Sequence, residues 1–154
     1  MRKKYLLILS CSARKRSTHA KVRAWELYEG VAFKLLKRRI KEKKLSEKLD
    51  ILILSALYGL IRAEEYIEWY DKKMTCQDAA AQAEKNAAIM RQILRQNSYE
   101  EVFIFGGRTY LAALQPVESW LPVQIKLHVA SGGIGQKLKQ LREWLENITA
   151  KEGE

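Results

Sequence analysis

Three short stretches, residues 5–10, 50–57 and 101–105, are apolar almost without interruption, and this constrains the fold more than any other feature. A strand wetted on one face alternates polar and apolar residues. One that does not alternate has both faces covered, as in a parallel sheet flanked by helices. The stretches between these runs have helical periodicity. Ser17 or Thr18 caps a predicted helix with the stripe Val22, Trp25, Tyr28, Ala32, Leu35 and Leu36, running on toward Lys44. A second helix opens at Thr75-Cys76-Gln77-Asp78, an approximate capping box, with the stripe Ala79, Ala83, Ala87, Met90 and Leu94. Gly106-Gly107 ends the third strand before a short helix over 108–114 that stops ahead of Pro116. A fourth strand, 123–129, alternates strictly and therefore belongs at an edge. A last helix follows Ser131-Gly132-Gly133 and carries Ile134, Leu138, Leu141, Leu145 and Ile148.

Strand–helix–strand units with right-handed crossovers build a parallel sheet with helices on both faces. The expectation is a single α/β domain over 1–154, with no repeat, linker or low-complexity tract. Residues 51–54 do not alternate, so both their faces must be covered.

The chain has 154 residues, 47% apolar and 30% charged, which excludes collagenous, low-complexity and disordered classes. Cys11 and Cys76 lie far apart with no Cys-x-x-Cys pair, so neither a disulfide framework nor a zinc knuckle is expected, and a reducing cytoplasm is. Met1-Arg2-Lys3-Lys4 followed by an apolar run and Cys11 imitates an export signal. Only five residues separate Lys4 from Ser10, against the roughly 7–15 such a signal needs. No apolar run approaches the roughly 20 residues that span a bilayer, so no membrane association is expected. No metal and no cofactor is expected either.

Net charge is +10, and residues 1–48 hold 16 Lys/Arg against 4 Asp/Glu while 49–154 hold 12 against 14. Clustered cations favour a polyanionic partner, a nucleotide or nucleic acid, because phosphates exchange their counterions for Lys and Arg. The alternative is a solvated helix face from Lys34 to Lys44, where cations also suit the helix C-terminus.

In parallel sheets ligands bind beyond the carboxyl ends of the strands, where strand order reverses. That rule selects 10–16, 55–59, 106–110 and 130–136. The first offers Ser10, Cys11, Ser12 and Lys15 around a turn, able to hold a phosphate or carboxylate. Cys11 reads as a nucleophile or as a small buried thiol. The nucleophile would need a base that neither His19 nor His128 is placed to supply. Ser55-Ala56-Leu57-Tyr58-Gly59-Leu60 opens a connection of about 15 residues, of the sort that is functional or partly folded. It carries Tyr66, Trp69 and Tyr70 among Glu64, Glu65, Glu68 and Asp71, which suits either a pocket that stacks a flat ring or a packed lid. Gly106-Gly107-Arg108 and Ser131-Gly132-Gly133-Ile134-Gly135 put glycines where helices begin, open to an anion, though neither is a diagnostic phosphate loop.

Ser10-Cys11-Ser12 with Lys15, Ala24-Trp25-Glu26-Leu27-Tyr28, Leu54-Ser55-Ala56-Leu57-Tyr58-Gly59-Leu60, Ile67-Glu68-Trp69-Tyr70-Asp71, Gly106-Gly107 with Tyr110, and 132–136 before Trp144 together resemble an uncharacterised bacterial and archaeal domain family. Its signature is Ser-Ala-Lys-Tyr-Gly-Leu followed by Pro-Tyr-Asp. The family is similar to the YaaA peroxide-stress proteins and, more distantly, to the uracil-DNA-glycosylase-like domain of archaeosine synthase. The resemblance implies a three-layer α/β/α sandwich around a four-stranded parallel sheet in order 2-1-3-4, and a link to nucleobases or DNA. Leu57 stands where the signature has lysine and Trp69 where it has proline, so no role of that lysine carries over. The glycosylase water-activating motif is not evident after the first strand.

Two functions follow as expectations. One is an enzyme acting at the N-glycosidic bond of a nucleobase, nucleotide or modified nucleic acid, where cleavage develops positive charge on the sugar and requires a carboxylate. Asp71 is the candidate, unless it merely pairs with Lys72, Lys73 or Arg62. Tyr58, Trp69 and Tyr70 would frame the base. Lys15, Arg108 and the turn Ser131, Gly132, Gly133, Gly135 would hold phosphate. The other is a non-catalytic nucleic-acid-binding module that uses the basic first third.

Overall fold

The computed structural model describes residues 4–12, 15–43 and 47–150; Ala13, Arg14 and the expected helix end at Lys44 lie outside them. Its elements run β1 (Lys4–Ser10), β2 (Val22–Arg23), α1 (Ala24–Leu27), α2 (Val31–Lys43), β3 (Leu49–Ser55), β4 (Gly59–Arg62), β5 (Tyr66–Ile67), α3 (Cys76–Gln96), β6 (Tyr99–Phe105), α4 (Arg108–Ala112), α5 (Val117–Trp120), β7 (Lys126–Val129) and α6 (Ile134–Ala150).

β1 is the central strand, parallel to β3 on one side and to β6 on the other, and β7 continues the parallel sheet beyond β6. The sequence predicts four parallel strands, but the sheet has five, in the order β4-β3-β1-β6-β7. The added strand, β4, pairs antiparallel with the outer side of β3, Ser55 standing opposite Gly59 and Leu52 opposite Arg62. The reversal needs a left-handed residue, and Gly59 supplies it at φ +77°. β3 is thereby an interior strand, which explains why residues 51–54 carry no polar face.

β4 is an edge strand, largely buried, and its outward donors are covered. Asn86 Oδ1 accepts from the Leu60 N–H at 3.0 Å, and Glu65 Oε1 accepts from the Arg62 N–H at 3.2 Å. Side-chain caps of this kind withhold an edge from pairing with other chains. Gly59→Ala is expected to cost about 1–2 kcal/mol, from the left-handed backbone alone. The new Cβ would also stand 3.1 Å from Asn86 Oδ1. A fall in the urea midpoint with an unchanged slope checks this; an unchanged midpoint refutes it.

Period-2 alternation sends neighbouring β1 side chains to opposite faces. Tyr5 meets Trp144 of α6 edge-on at 6.3 Å, whereas Ile8 and Ser10 line a small void with Leu111, Leu114 and Tyr110 from the α4 side. α2 and α6 share the first face, linked by Arg39 and Glu146 at 3.0 Å, and α3 packs with α4 and α5 on the second. Leu6, Leu7, Ile8 and Leu9 are fully buried between these layers.

The capping box at Thr75 forms as expected, with Thr75 Oγ1 accepting from the Asp78 N–H and Asp78 Oδ2 from the Thr75 N–H. The long first helix does not. Residues 22–23 instead pair with β5 as a two-stranded ribbon, and the chain is extended at Tyr28 between α1 and α2. The break is tertiary in origin. Ala24 and Trp25 donate their N–H groups to the carbonyls of Glu65 and Ala63, which takes over the first helical turn. Gly30 donates to Ser12 Oγ, and a Cβ on it would lie 2.7 Å from Ser12 Cβ, so the first loop docks where the helix would have continued.

Candidate functional site

The carboxyl ends of β1, β3 and β6 bring together groups that are scattered along the chain. Ser55, at the end of β3, is fully buried; its hydroxyl lies 2.8 Å from the Tyr70 hydroxyl and accepts from the N–H groups of Leu57 and Tyr58. The Tyr70 hydroxyl is in turn 2.6 Å from that of Tyr28. Three hydroxyls thus form a buried chain behind the turn. Each such bond contributes about 1 kcal/mol net, and an orphaned member would cost more.

Cys11, directly after β1, is buried and donates its thiol to the Tyr110 hydroxyl at 3.4 Å. Lys15 forms an isolated backbone bridge to Tyr28, and its Nζ lies 4.6 Å from the centre of the Tyr70 ring. Tyr58 meets Tyr70 edge-on at 5.6 Å, and its hydroxyl accepts from the Glu68 N–H. Gln82 of α3 donates to the carbonyls of Ser55 and Ala56, fixing the strand end from below.

Burial sets the protonation of this cluster. It pushes Tyr28 up to about 12. It also raises Tyr70, with further contributions from the neighbouring Cys11 and Tyr28, and Tyr110, hydrogen-bonded to Cys11, is raised too. All three phenols are neutral at physiological pH. They can donate or relay hydrogen bonds in that state.

The structure gathers Cys11, Lys15, Ser55, Tyr58 and Tyr70 of the sequence-derived candidates. Ser12 is held at the rim, accepting from the Gly30 N–H. Ser10 packs against Gly106, where an added Cβ would approach Ser10 Cβ to 3.2 Å, so glycine permits the close crossing of the β1 and β6 ends. Gly107 and Arg108 are exposed, with open space at the Gly107 Cβ position. Trp69 is 49% exposed, and Asp71 is exposed directly after Tyr70. Lys72 pairs with Asp78, and no ion pair among the described residues uses Asp71. Gly59 serves the β4 turn.

The second glycine turn is differently engaged. The Gly133 N–H donates to Gln136 Oε1 at 3.1 Å and the Ser131 N–H to Gln140 Oε1 at 3.0 Å, so two donors proposed to cradle an anion already bond side chains of their own helix. Gly132, at φ +89°, is pressed against Gln136, while Gly133 and Gly135 have open space at Cβ. Lys137, one turn further, reaches the carbonyl of Gly106 at 3.1 Å and ties α6 to the β6 end. His128 is bound to Glu101 at 2.6 Å, near the start of β6, and does not serve Cys11.

Sequence reasoning missed Tyr28, placed in a helical stripe, and the helper residues Gln82 and Lys137. One signal was available: a tyrosine on an inward stripe needs a partner for its hydroxyl. Among the described residues no group of His, Cys, Asp and Glu suits a metal ion, and no helix is long and apolar enough to cross a membrane.

No curated protein matches this chain. A solved structure, the crystal structure of AF0587, a protein of unknown function, is similar in fold at 13% identity with a TM-score of 0.54. The match covers 94% of this chain and 45% of that one, so the chain spans less than half the length of that neighbour. The family model for DUF6884, a family of unknown function, matches residues 6–143, nearly all of the apolar sheet and every residue of the hydroxyl cluster, and the chain belongs to that family.

Proposed function

We propose that this protein is an enzyme directed at a nucleobase or nucleotide and acting at its N-glycosidic bond, in nucleic-acid modification or repair. The observation that carries the reading is the buried Tyr28–Tyr70–Ser55 hydroxyl chain, with the Lys15 ammonium over the Tyr70 ring, at the carboxyl ends of three parallel strands. The resemblance of the family's signature to the YaaA proteins, and more distantly to the uracil-DNA-glycosylase-like domain of archaeosine synthase, implies a link to nucleobases or DNA and supplies no activity of its own.

In hydrolysis of this bond, water adds to the anomeric carbon, the C–N bond breaks, and its electron pair leaves with the base, which takes up a proton. Neutral phenols suit the leaving side, since a hydroxyl donating to a ring nitrogen or carbonyl stabilises the charge the base acquires. The exposed Asp71 carboxylate suits the sugar side, where positive charge develops. Lys15 suits a phosphate.

The test is calorimetric titration with thymidine monophosphate. The full chain should bind it, and Lys15→Met should weaken binding by about tenfold or more, the usual contribution of a charge-assisted bond. No binding, or equal binding by the variant, refutes the reading.

A further inference from the structure

We infer that the base reaches this site as part of a single strand of nucleic acid, laid along a track between two cation–π pairs; the inference rests on the nucleobase reading above. Two chain segments run between the same two points. Residues 15–23 begin with Lys15 over the Tyr70 ring and end with Arg23, whose guanidinium lies 5.7 Å from the Tyr66 ring centre and whose Nε donates to the Tyr66 hydroxyl at 3.4 Å. Residues 66–70 join the same two rings from the other side, with Arg23 opposite Tyr66 in the β2–β5 ribbon. Four residues of extended chain reach at most about 14 Å, so the two pairs lie within a few nucleotides of each other.

The two sides differ in chemistry. Residues 15–23 contain Lys15, Arg16, Lys21 and Arg23 and no carboxylate. The other side presents Tyr66, 62% exposed, and Trp69, 49% exposed, interspersed with the exposed Glu64 and Glu68. Phosphates are drawn to the first side and repelled by the second. Bases find exposed aromatic faces on the second side, where carboxylates can accept from their amino groups. A positive rail beside a row of aromatic faces is the arrangement that binds single strands, because every base offers a face once it is unstacked. A duplex hides those faces. Tyr66 and Trp69 are too exposed for core packing, whereas Tyr70 is buried with Lys15 over its ring, and a strand offers each exposed ring a base of its own.

The experiment compares thymidine monophosphate, a short oligothymidylate and a duplex of the same sequence, titrated against the full chain and against Tyr66→Ala and Tyr66→Phe. The oligothymidylate should bind more tightly than the mononucleotide or the duplex. Tyr66→Ala should weaken it by about tenfold, the usual contribution of one base–aromatic stack, and Tyr66→Phe, which keeps the ring, should not. Neither variant should change mononucleotide binding. Arg23→Ala should lower the slope of log affinity against log salt by about 0.7, one phosphate contact on a single strand. A mononucleotide that binds as tightly as the oligonucleotide, tighter binding of the duplex, or indifference to Tyr66→Ala overturns the inference while leaving the base-binding site standing. Oligonucleotide binding that depends on both Tyr66 and Lys15, with no binding of thymidine monophosphate, supports the track and overturns the reading of the site behind it.

Discussion

Asn86→Ala is expected to destabilise the protein by about 2–4 kcal/mol, the range for breaking a buried hydrogen-bond network and leaving its partners unpaired. Asn86 sits on α3 with no exposed surface. Its Oδ1 accepts from the Leu60 N–H at 3.0 Å, and its Nδ2 donates to the Ala113 carbonyl at 3.0 Å and to Gln82 Oε1 at 3.3 Å. One side chain therefore joins the edge strand β4, the end of α4 and the glutamine that supports Ser55. Alanine leaves the Leu60 donor and the Ala113 acceptor without partners and opens a void between the layers. For a domain of this size the melting temperature should fall by about 5–15 °C. Asn86→Asp separates the contributions: it keeps an acceptor for Leu60 but loses the donor to Ala113 and buries a charge. It should be at least as damaging as alanine. A midpoint within experimental error of the parent for either variant would show that the network contributes nothing net.

Asp71→Asn is expected to reduce base release by about a hundred- to ten-thousandfold, the range for a positioned proton-transfer group. The substitution keeps size and removes charge. Asp71 is exposed and makes none of the ion pairs among the described residues, so stability should not change. Binding of thymidine monophosphate should also be kept, so that the loss is in turnover and not in affinity, as befits a group acting in the transition state. The measurement is chromatographic detection of free base from single-stranded oligonucleotides. Base release that survives Asp71→Asn unchanged removes the carboxylate from the mechanism. Binding without base release from any oligonucleotide, weakening steeply with salt and spread over many Lys and Arg, would instead favour a binding module that uses the basic first third.

Both predictions rest on groups that differ in how visible they are from the chain alone. The apolar runs at 5–10, 50–57 and 101–105 were sufficient to indicate covered strands and a largely parallel sheet, because two-sided burial leaves no room for alternation. The start of α3 was equally legible, since a capping box is satisfied within four consecutive residues. The strand-end rule likewise selected Ser10–Ser12, Ser55 and Gly106 from topology alone.

What the tertiary structure alone decided depends on partners distant in sequence. The amphipathic stripe from Val22 to Leu36 satisfies a helix locally. The carbonyls of Ala63 and Glu65, the β5 strand and Ser12 compete for the same backbone, and together they outweigh helical propensity, which is a weak bias. β4 needed a turn at Gly59 and a cap from Asn86 on another layer, neither of which leaves a periodic trace in residues 59–62. The hydroxyl chain joins Tyr28, Ser55 and Tyr70, and Cys11 meets Tyr110 across 99 positions. Periodicity reports which face a residue occupies. Only packing brings together residues on separate elements, and only their burial raises the three phenols above the ordinary tyrosine range.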